Sequence, residues 1–157
     1  MQFRAAEDGD TVALAHMWHK GWHEGHAAHV PAALVALRTV AEFEGRTASH
    51  LAQTTVMEVD GQLAGFHMLE GDEIYQFYVG AGFRGTGAAK TLMRHAEAAL
   101  AGRLAWLACA VGNARAARFY EKSGWQQAAT FDYHVETASG PMTVSCWRYE
   151  KHLPPES

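Results

Sequence analysis

The segment RGTGAAKT, residues 84–91, has glycines at 85 and 87, small residues after them and a closing Lys90-Thr91 pair. Those are the ingredients of a loop whose backbone amides hold an anion. Two nucleotide loops use them. The triphosphate loop G-x-x-x-x-G-K-[ST] would end on Lys90-Thr91, which puts Arg84 and Ala89 where its two glycines must stand. The dinucleotide pattern G-x-G-x-x-G accepts Gly85 and Gly87 but places Lys90 at the third glycine, where a helix must pack closely on a strand. No acidic residue closing a second strand follows about twenty residues on, where the chain reads ALAGRL. Both nucleotide readings fail. A tight turn remains as the plain reading, and an anion loop of another kind as the functional one.

A second concentration of chemistry is the run HMWHKGWHEGHAAHVP, residues 16–31, which holds five of the ten histidines. The spacings of three and four put His16, His19, His23 and His26 on one helical stripe. His19 and His23 alone could chelate an ion, but no cysteine or carboxylate triad completes a site. HEGH is one residue short of the H-E-x-x-H metalloprotease signature. No metal is expected, and the stripe reads as a substrate-lining or solvated face. Trp18 and Trp22 are candidate apolar walls beside it, or core. Cys109 and Cys146 lie in apolar strand-like segments and read as reduced core residues.

These residues need elements to position them. QFRAA reads as a first strand, and EDGDTVALAHMWHKGWHEGH opens a helix capped by Asp8 or Asp10. Gly21 and Gly25 weaken that helix enough to bend or break it. VPAALVALRTVAEFEGR gives a second helical segment with Pro31 in its first turn. TTVMEVDG and QLAGFHMLEG flank an Asp60-Gly61 hairpin turn. In EIYQFYV, alternation puts Ile74, Gln76 and Tyr78 on one face and Tyr75, Phe77 and Val79 on the other. The anion loop follows, then a helix from about Gly87 to Leu100, with Leu92, Met93 and Ala96 in its apolar stripe. LAWLACAV suits a strand buried on both faces, and NARAARFYEKSG a short helix stopped by Gly124. WQQAATFDYHVE and MTVSCWRYEK complete the order as a last strand pair.

The order is β, α, α, β, β, β, α, β, α, β, β, and no linker, repeat or low-complexity stretch interrupts it. In 157 residues, 48% apolar and 19% charged, this predicts one mixed α/β domain over residues 1–157. The net charge of -4 argues against nucleic-acid or anionic-membrane partners. No apolar run approaches a membrane span, and MQFRAAEDGD turns acidic where a secretory leader would be apolar. A cytoplasmic location is the expectation.

Two stretches together carry a family resemblance. YVGAGFRGTGAAKTLM resembles motif A of the GNAT superfamily of acetyl-CoA-dependent N-acetyltransferases, with Arg84, Gly87 and Ala89 at its signature positions. LACAVGNARAARFYEKSGW resembles motif B, filled by Asn113, Ala116, Phe119, Tyr120, Gly124 and Trp125. Their order and spacing match the family plan, which covers roughly the last two-thirds of the chain. The resemblance implies a twisted mixed sheet, flanked by helices, with a V-shaped splay between two parallel strands, EIYQFYV and LAWLACAV. It implies acetyl-CoA as cosubstrate. Arg84, Gly85, Thr86, Gly87, Ala88 and Ala89 would hold the coenzyme A pyrophosphate. The backbone of Tyr78 and Val79 would bond the pantetheine arm and acetyl carbonyl, and Asn113 the arm or the helix start. Tyr120 would serve as the acid for the departing thiolate.

The resemblance supplies no base. Glu73, Glu70 and His67 are the candidates on neighbouring strands, and Glu73 is the first choice. Gln76 could order a water but cannot accept a proton. In this family the segment joining the first helices lines the acceptor side, which assigns Trp18, His19, Trp22 and His23 to substrate; Gln76, facing the same side of its strand as Tyr78, is counted with them. The reading is transfer of an acetyl group to the amine of a small molecule or amino-acid-like acceptor. A protein or peptide N-acetyltransferase and a non-catalytic acyl-CoA-binding module are the rivals, and homodimerisation is left open.

Overall fold

The computed structural model describes residues 1–156. Its elements are β1 (Gln2–Ala5), α1 (Thr11–His26), α2 (Ala32–Leu37), α3 (Val40–Ser49), β2 (Thr54–Val59), β3 (Gln62–Glu70), β4 (Glu73–Val79), α4 (Ala88–Ala99), β5 (Leu104–Ala110), α5 (Ala114–Lys122), β6 (Gln126–Val135) and β7 (Met142–His152). The strands form one seven-stranded sheet in the order β1-β2-β3-β4-β5-β7-β6. Every pairing is antiparallel except β4 with β5. No helix among the described residues is long and apolar enough to cross a membrane.

The parallel pair sets up everything that follows. β4 and β5 meet at one rung, Glu73 opposite Trp106, with the Trp106 amide bonded to the Asp72 carbonyl. Beyond it the strands diverge, so the facing edges of Gln76–Val79 and Leu107–Ala110 leave the sheet and line a cleft. This is the expected splay. Helices cover both faces. Leu14, Trp18 and Trp22 of α1, Leu34 of α2 and Phe43 of α3 pack on Val56, Phe66 and Met68. Met93 and Ala96 of α4 and Ala117 of α5 pack on Ile74, Leu107 and Cys109 from the other side.

The hairpin turn is as its sequence requires: Asp60 and Gly61 both take positive φ, 51° and 75°. Four local expectations are corrected. Asp10 does not cap α1 with its side chain; Glu7 and Asp10 form a capping box around a preceding 3-10 turn, and Arg4 bonds Asp10 at 2.7 Å. Helix α1 runs unbroken through Gly21 and Gly25, because Gly21 is where it meets the Tyr78 ring: a Cβ there would lie 2.4 Å from Cδ1. The second helical segment is two helices, parted at Arg38 (ψ 66°) and restarted where the Thr39 hydroxyl accepts the Glu42 amide. Finally, a register shift between Met68 and Leu69 breaks the alternation of β4. Tyr75 therefore joins Tyr78 on the α1–α3 side, and Ile74 joins Phe77 on the α4–α5 side.

The two cysteines sit on neighbouring strands, but Cys109 pairs with Trp147 and Ala110 with Cys146. One step of register sends the thiols to opposite faces of the sheet, and both are free and buried.

Candidate active site

The cleft has a volume of 1360 Å³ and is open along one side. Its floor is the splay, and three groups of residues from different elements converge on it.

The first group is the glycine loop. Gly85 and Gly87 take φ of 77° and 83°, conformations that a side chain would strain. A Cβ on either would touch nothing within 4 Å, so backbone geometry, not crowding, requires glycine here. The backbone N–H groups of residues 85–90 find no acceptor among the described residues, and they surround the N-terminus of α4. Six free donors at the positive end of a helix are the arrangement that suits an anion. Arg84 stands at its rim, bonded at 2.6 Å to Glu24 of α1, and that bond holds the Glu24 carboxyl below the usual range.

The second group comes from α5 and the loop before it. The Asn113 side-chain oxygen accepts the Ala116 amide at 3.3 Å, so it caps α5. The same residue lines the cleft, with its amide nitrogen close against Gly25 of α1. Two turns further, Tyr120 lies between Phe119 and Tyr149, with ring centroids 5.7 and 5.9 Å away. Its hydroxyl has no partner among the described residues, and burial pushes its pKa up. The Tyr78 phenol is likewise pushed up by burial. Tyr78, Val79 and Gln76 all line the cleft on β4.

Glu73 heads the third group. It is 7% exposed, lines the cleft, and its Oε2 accepts the Tyr133 hydroxyl at 2.7 Å. Burial raises its carboxyl above the ordinary range, against the Tyr133 bond, which lowers it. Of the other base candidates, Glu70 is exposed at the rim. His67 faces away from the cleft: its Nε2 meets His95 Nδ1 of α4 at 3.0 Å, and burial pushes it down to about 4.

The α1 residues divide. Trp22 lines the cleft and stacks on His26, which lines it too and is pushed down to about 4 by burial. His26 is thus neutral at physiological pH. Trp18, His19 and His23, expected at the substrate, are not on the cleft. Trp18 is 0% exposed beneath Phe43 and Phe66, His19 lies edge-on to Phe43, and His23 Nε2 bonds the Arg38 carbonyl at 2.8 Å. The cause is the second helical segment: folded into α2 and α3, it covers the face of α1 that carries these side chains. Among the described residues no three histidines, cysteines or carboxylates stand together as a metal site.

Comparison with known proteins decides the family. The model of the acetyltransferase (GNAT) family matches residues 16–125, more than half of the chain. The chain belongs to the GNAT family. Similar solved structures include the PaiA N-acetyltransferase of Thermoplasma acidophilum in complex with coenzyme A, at 16% identity and TM-score 0.73, covering 97% of this chain and 98% of that one. YncA of Salmonella typhimurium with its cofactor acetyl-CoA is 15% identical, at TM-score 0.69 over 100% and 96% of the two chains. The ribosomal-protein-S18-alanine N-acetyltransferase of Escherichia coli is 18% identical, at TM-score 0.66 over 99% and 96%. At such identities they share the fold. No curated protein matches the chain.

Three cleft residues of this GNAT chain escape a reading of its sequence. Tyr133 lies sixty positions from Glu73, inside an ordinary strand, and nothing local marks it. Arg38 and Arg46 flank Glu42 at four-residue spacing, a pattern that normally describes a solvated helix face. The break between α2 and α3 instead turns it onto the cleft, where all three residues are lining.

Proposed function

We propose that the protein transfers the acetyl group of acetyl-CoA to a primary amine of a small-molecule or amino-acid-like acceptor, by direct attack within a ternary complex. The observation that carries the reading is the convergence of the free amides of residues 85–90, the unpartnered Tyr120 hydroxyl and the buried Glu73 carboxyl on the β4–β5 splay. The pyrophosphate sits on Gly85, Thr86, Gly87, Ala88 and Ala89 with Arg84 at the rim, which must then exchange Glu24 for phosphate. The pantetheine arm adds to the open edge of β4 at Tyr78 and Val79, as a strand would, with Asn113 opposite.

That placement puts the thioester between β4 and α5. Glu73, through its carboxylate or an intervening water positioned by Gln76, takes the proton of the incoming ammonium. The amine attacks the carbonyl carbon, and the tetrahedral adduct collapses by breaking the C–S bond, its surplus N–H proton passing to the departing thiolate to give the free thiol. Tyr120 donates a hydrogen bond to the sulfur as charge develops on it. Because a phenol (~10) is a weaker acid than a thiol (~8.5), full transfer of the proton is uphill by about 2 kcal/mol even before burial. Tyr120 therefore contributes mainly as a donor that strengthens in the transition state.

The test has two readouts. Acetyl-CoA raises the melting temperature in a concentration-dependent way, while ATP and NAD do not. A panel of amino acids, amino-acid analogues, polyamines and peptides then releases free thiol from acetyl-CoA with a restricted set. Stabilisation by ATP in place of acetyl-CoA would sink the assignment; stabilisation by acetyl-CoA with no turnover would mark a binding module. Preference for peptides over free small amines would transfer the reading to a protein acceptor.

A further inference from the structure

Arg38 and Arg46 make an unbalanced charge in the cleft wall. Arg38, at the end of α2, is 2% exposed; its Nη1 bonds Glu42 and, at 2.9 Å, the Glu136 carbonyl of the chain leaving β6. Arg46 of α3 lies over the Trp18 and Phe43 rings, donates to the Tyr75 hydroxyl at 2.9 Å and stands 3.5 Å from Glu42. Both guanidiniums turn to the same oxygen, Oε1, of one carboxylate. A buried and a half-buried positive charge thus share one carboxylate, which leaves one of them unmatched. Nε of Arg38 and Nη1 of Arg46 are buried without an acceptor, and Oε2 of Glu42 is buried without a donor, so the cluster is not closed on itself. Arginine stays charged under such conditions, so the imbalance cannot be relieved by losing a proton. A structural pin between α2, α3 and β6 would need one arginine and one carboxylate. The second arginine is left over.

The position of this charge matters. Arg46 bonds Tyr75, two residues along β4 from Glu73, and Tyr75 carries its ring stacked on His50. Trp22, Leu34 and Val144 add apolar surface to the same cleft, with His50 and Glu73 as its nearby polar groups. An oxyanion entering here would neutralise the surplus charge in a place shielded from water, where such a pairing is strongest. Planar guanidiniums match a carboxylate or phosphonate in geometry.

We propose that Arg38 and Arg46 form an oxyanion subsite for the acceptor, so that the amine acetylated by this enzyme also carries a carboxylate or a comparable oxyanion. The proposal rests on the transferase reading above and narrows its substrate class. It excludes polyamines and simple alkylamines as good substrates and favours molecules built like an amino acid.

Matched acceptor pairs test it. L-methionine, L-phenylalanine and L-leucine are compared with their carboxamides, and 2-aminoethylphosphonate with ethanolamine, by thiol release from acetyl-CoA. For the pairs that react, the anionic member has a kcat/KM about 10- to 100-fold higher, the range for a charged hydrogen bond. Arg38→Gln reduces that ratio to near one while its melting-temperature shift with acetyl-CoA stays at the wild-type value. Arg46→Lys, which keeps the charge but not the fork, retains a reduced ratio and serves if Arg38→Gln does not fold. Where no pair turns over, tryptophan fluorescence is titrated with the same acids and amides in the presence of coenzyme A. Binding of acids alone supports the subsite even if the transferase reading fails. Equal use or equal binding of acids and amides overturns it, as does a preference that survives Arg38→Gln in a folded variant.

Discussion

At neutral pH the Tyr120 hydroxyl keeps its proton, because burial opposes the phenolate. Tyr120→Phe removes the donor and keeps the ring between Phe119 and Tyr149. Under conditions where chemistry limits, turnover should fall by roughly 10²- to 10⁴-fold, with acetyl-CoA binding intact; unchanged single-turnover rates would return this tyrosine to the core. Burial shifts Glu73 in the same sense, but from a value low enough to matter for stability. Its folded-state pKa lies above the unfolded value of about 4.5, so the native protein binds the extra proton and stability falls as pH rises between the two. Glu73→Gln should therefore raise the melting temperature at pH 8 relative to wild type, and the gain should vanish below pH ~4, where both states of the wild type are protonated. The same variant should lose turnover, again by roughly 10²-fold or more. In the wild type, activity should decline with acidification at a pH above that of an ordinary glutamate. A variant that is destabilised at pH 8, or fully active, would show that Glu73 is a structural partner of Tyr133 and nothing else.

Helix α1 presses on β4 at one glycine, and its propensity and packing pull in opposite directions there. Gly→Ala in a helix interior gains about 1 kcal/mol from propensity, but at Gly21 the new Cβ would lie 2.4 Å from the Tyr78 ring. Overpacking of that kind costs about 1–3 kcal/mol, so packing wins and Gly21→Ala should lower the melting temperature. Gly45→Ala in α3 is the control: a Cβ there meets nothing within 4 Å, and the melting temperature should rise. If both substitutions stabilise, α1 does not rest on β4 as described. Elements of this kind were legible in the sequence where a local rule decides them. The Asp60-Gly61 hairpin, the limits of β4 and the glycine loop before α4 all follow from turn chemistry and apolar period. The break at Arg38–Thr39 was not, since an apolar helical period runs through it and only the Thr39 cap marks the restart. Nor was the β4 bulge, which one residue of pairing with β3 creates. The site follows the same division: its loop, Asn113 and Tyr120 are local to two motifs, whereas Tyr133, Arg38 and Arg46 reach the cleft only through tertiary packing, and His19 and His23 leave it for the same reason.

On the scale of the whole molecule, the proposed direct transfer requires one cleft to serve two ligands. Its 1360 Å³ exceeds the ~300–1,000 Å³ usual for a single small-molecule site, which suits coenzyme A and an acceptor side by side. The alternative is sequential occupancy, in which an enzyme nucleophile first takes the acetyl group and releases coenzyme A before the amine enters. The cleft contains two thiols that could play that part, Cys109 and Cys146. Burial pushes the first up to about 12 and the second up to about 11, so neither is a thiolate at neutral pH. Each is also packed into a different side of the sheet, with exposure of 2% and 6%. A reactive cysteine needs an electropositive, accessible setting, and these have the reverse. Initial rates measured against both substrates should therefore give intersecting double-reciprocal lines, as expected when both are bound together. Incubation with acetyl-CoA alone should leave the protein mass unchanged, and the Cys109→Ala and Cys146→Ser variants should keep turnover to the extent that they stay folded. Parallel lines, together with an acetyl group found on either cysteine, would replace direct attack with a covalent intermediate. The Glu73 carboxyl would then have to activate the amine in a second half-reaction, after coenzyme A had left the cleft.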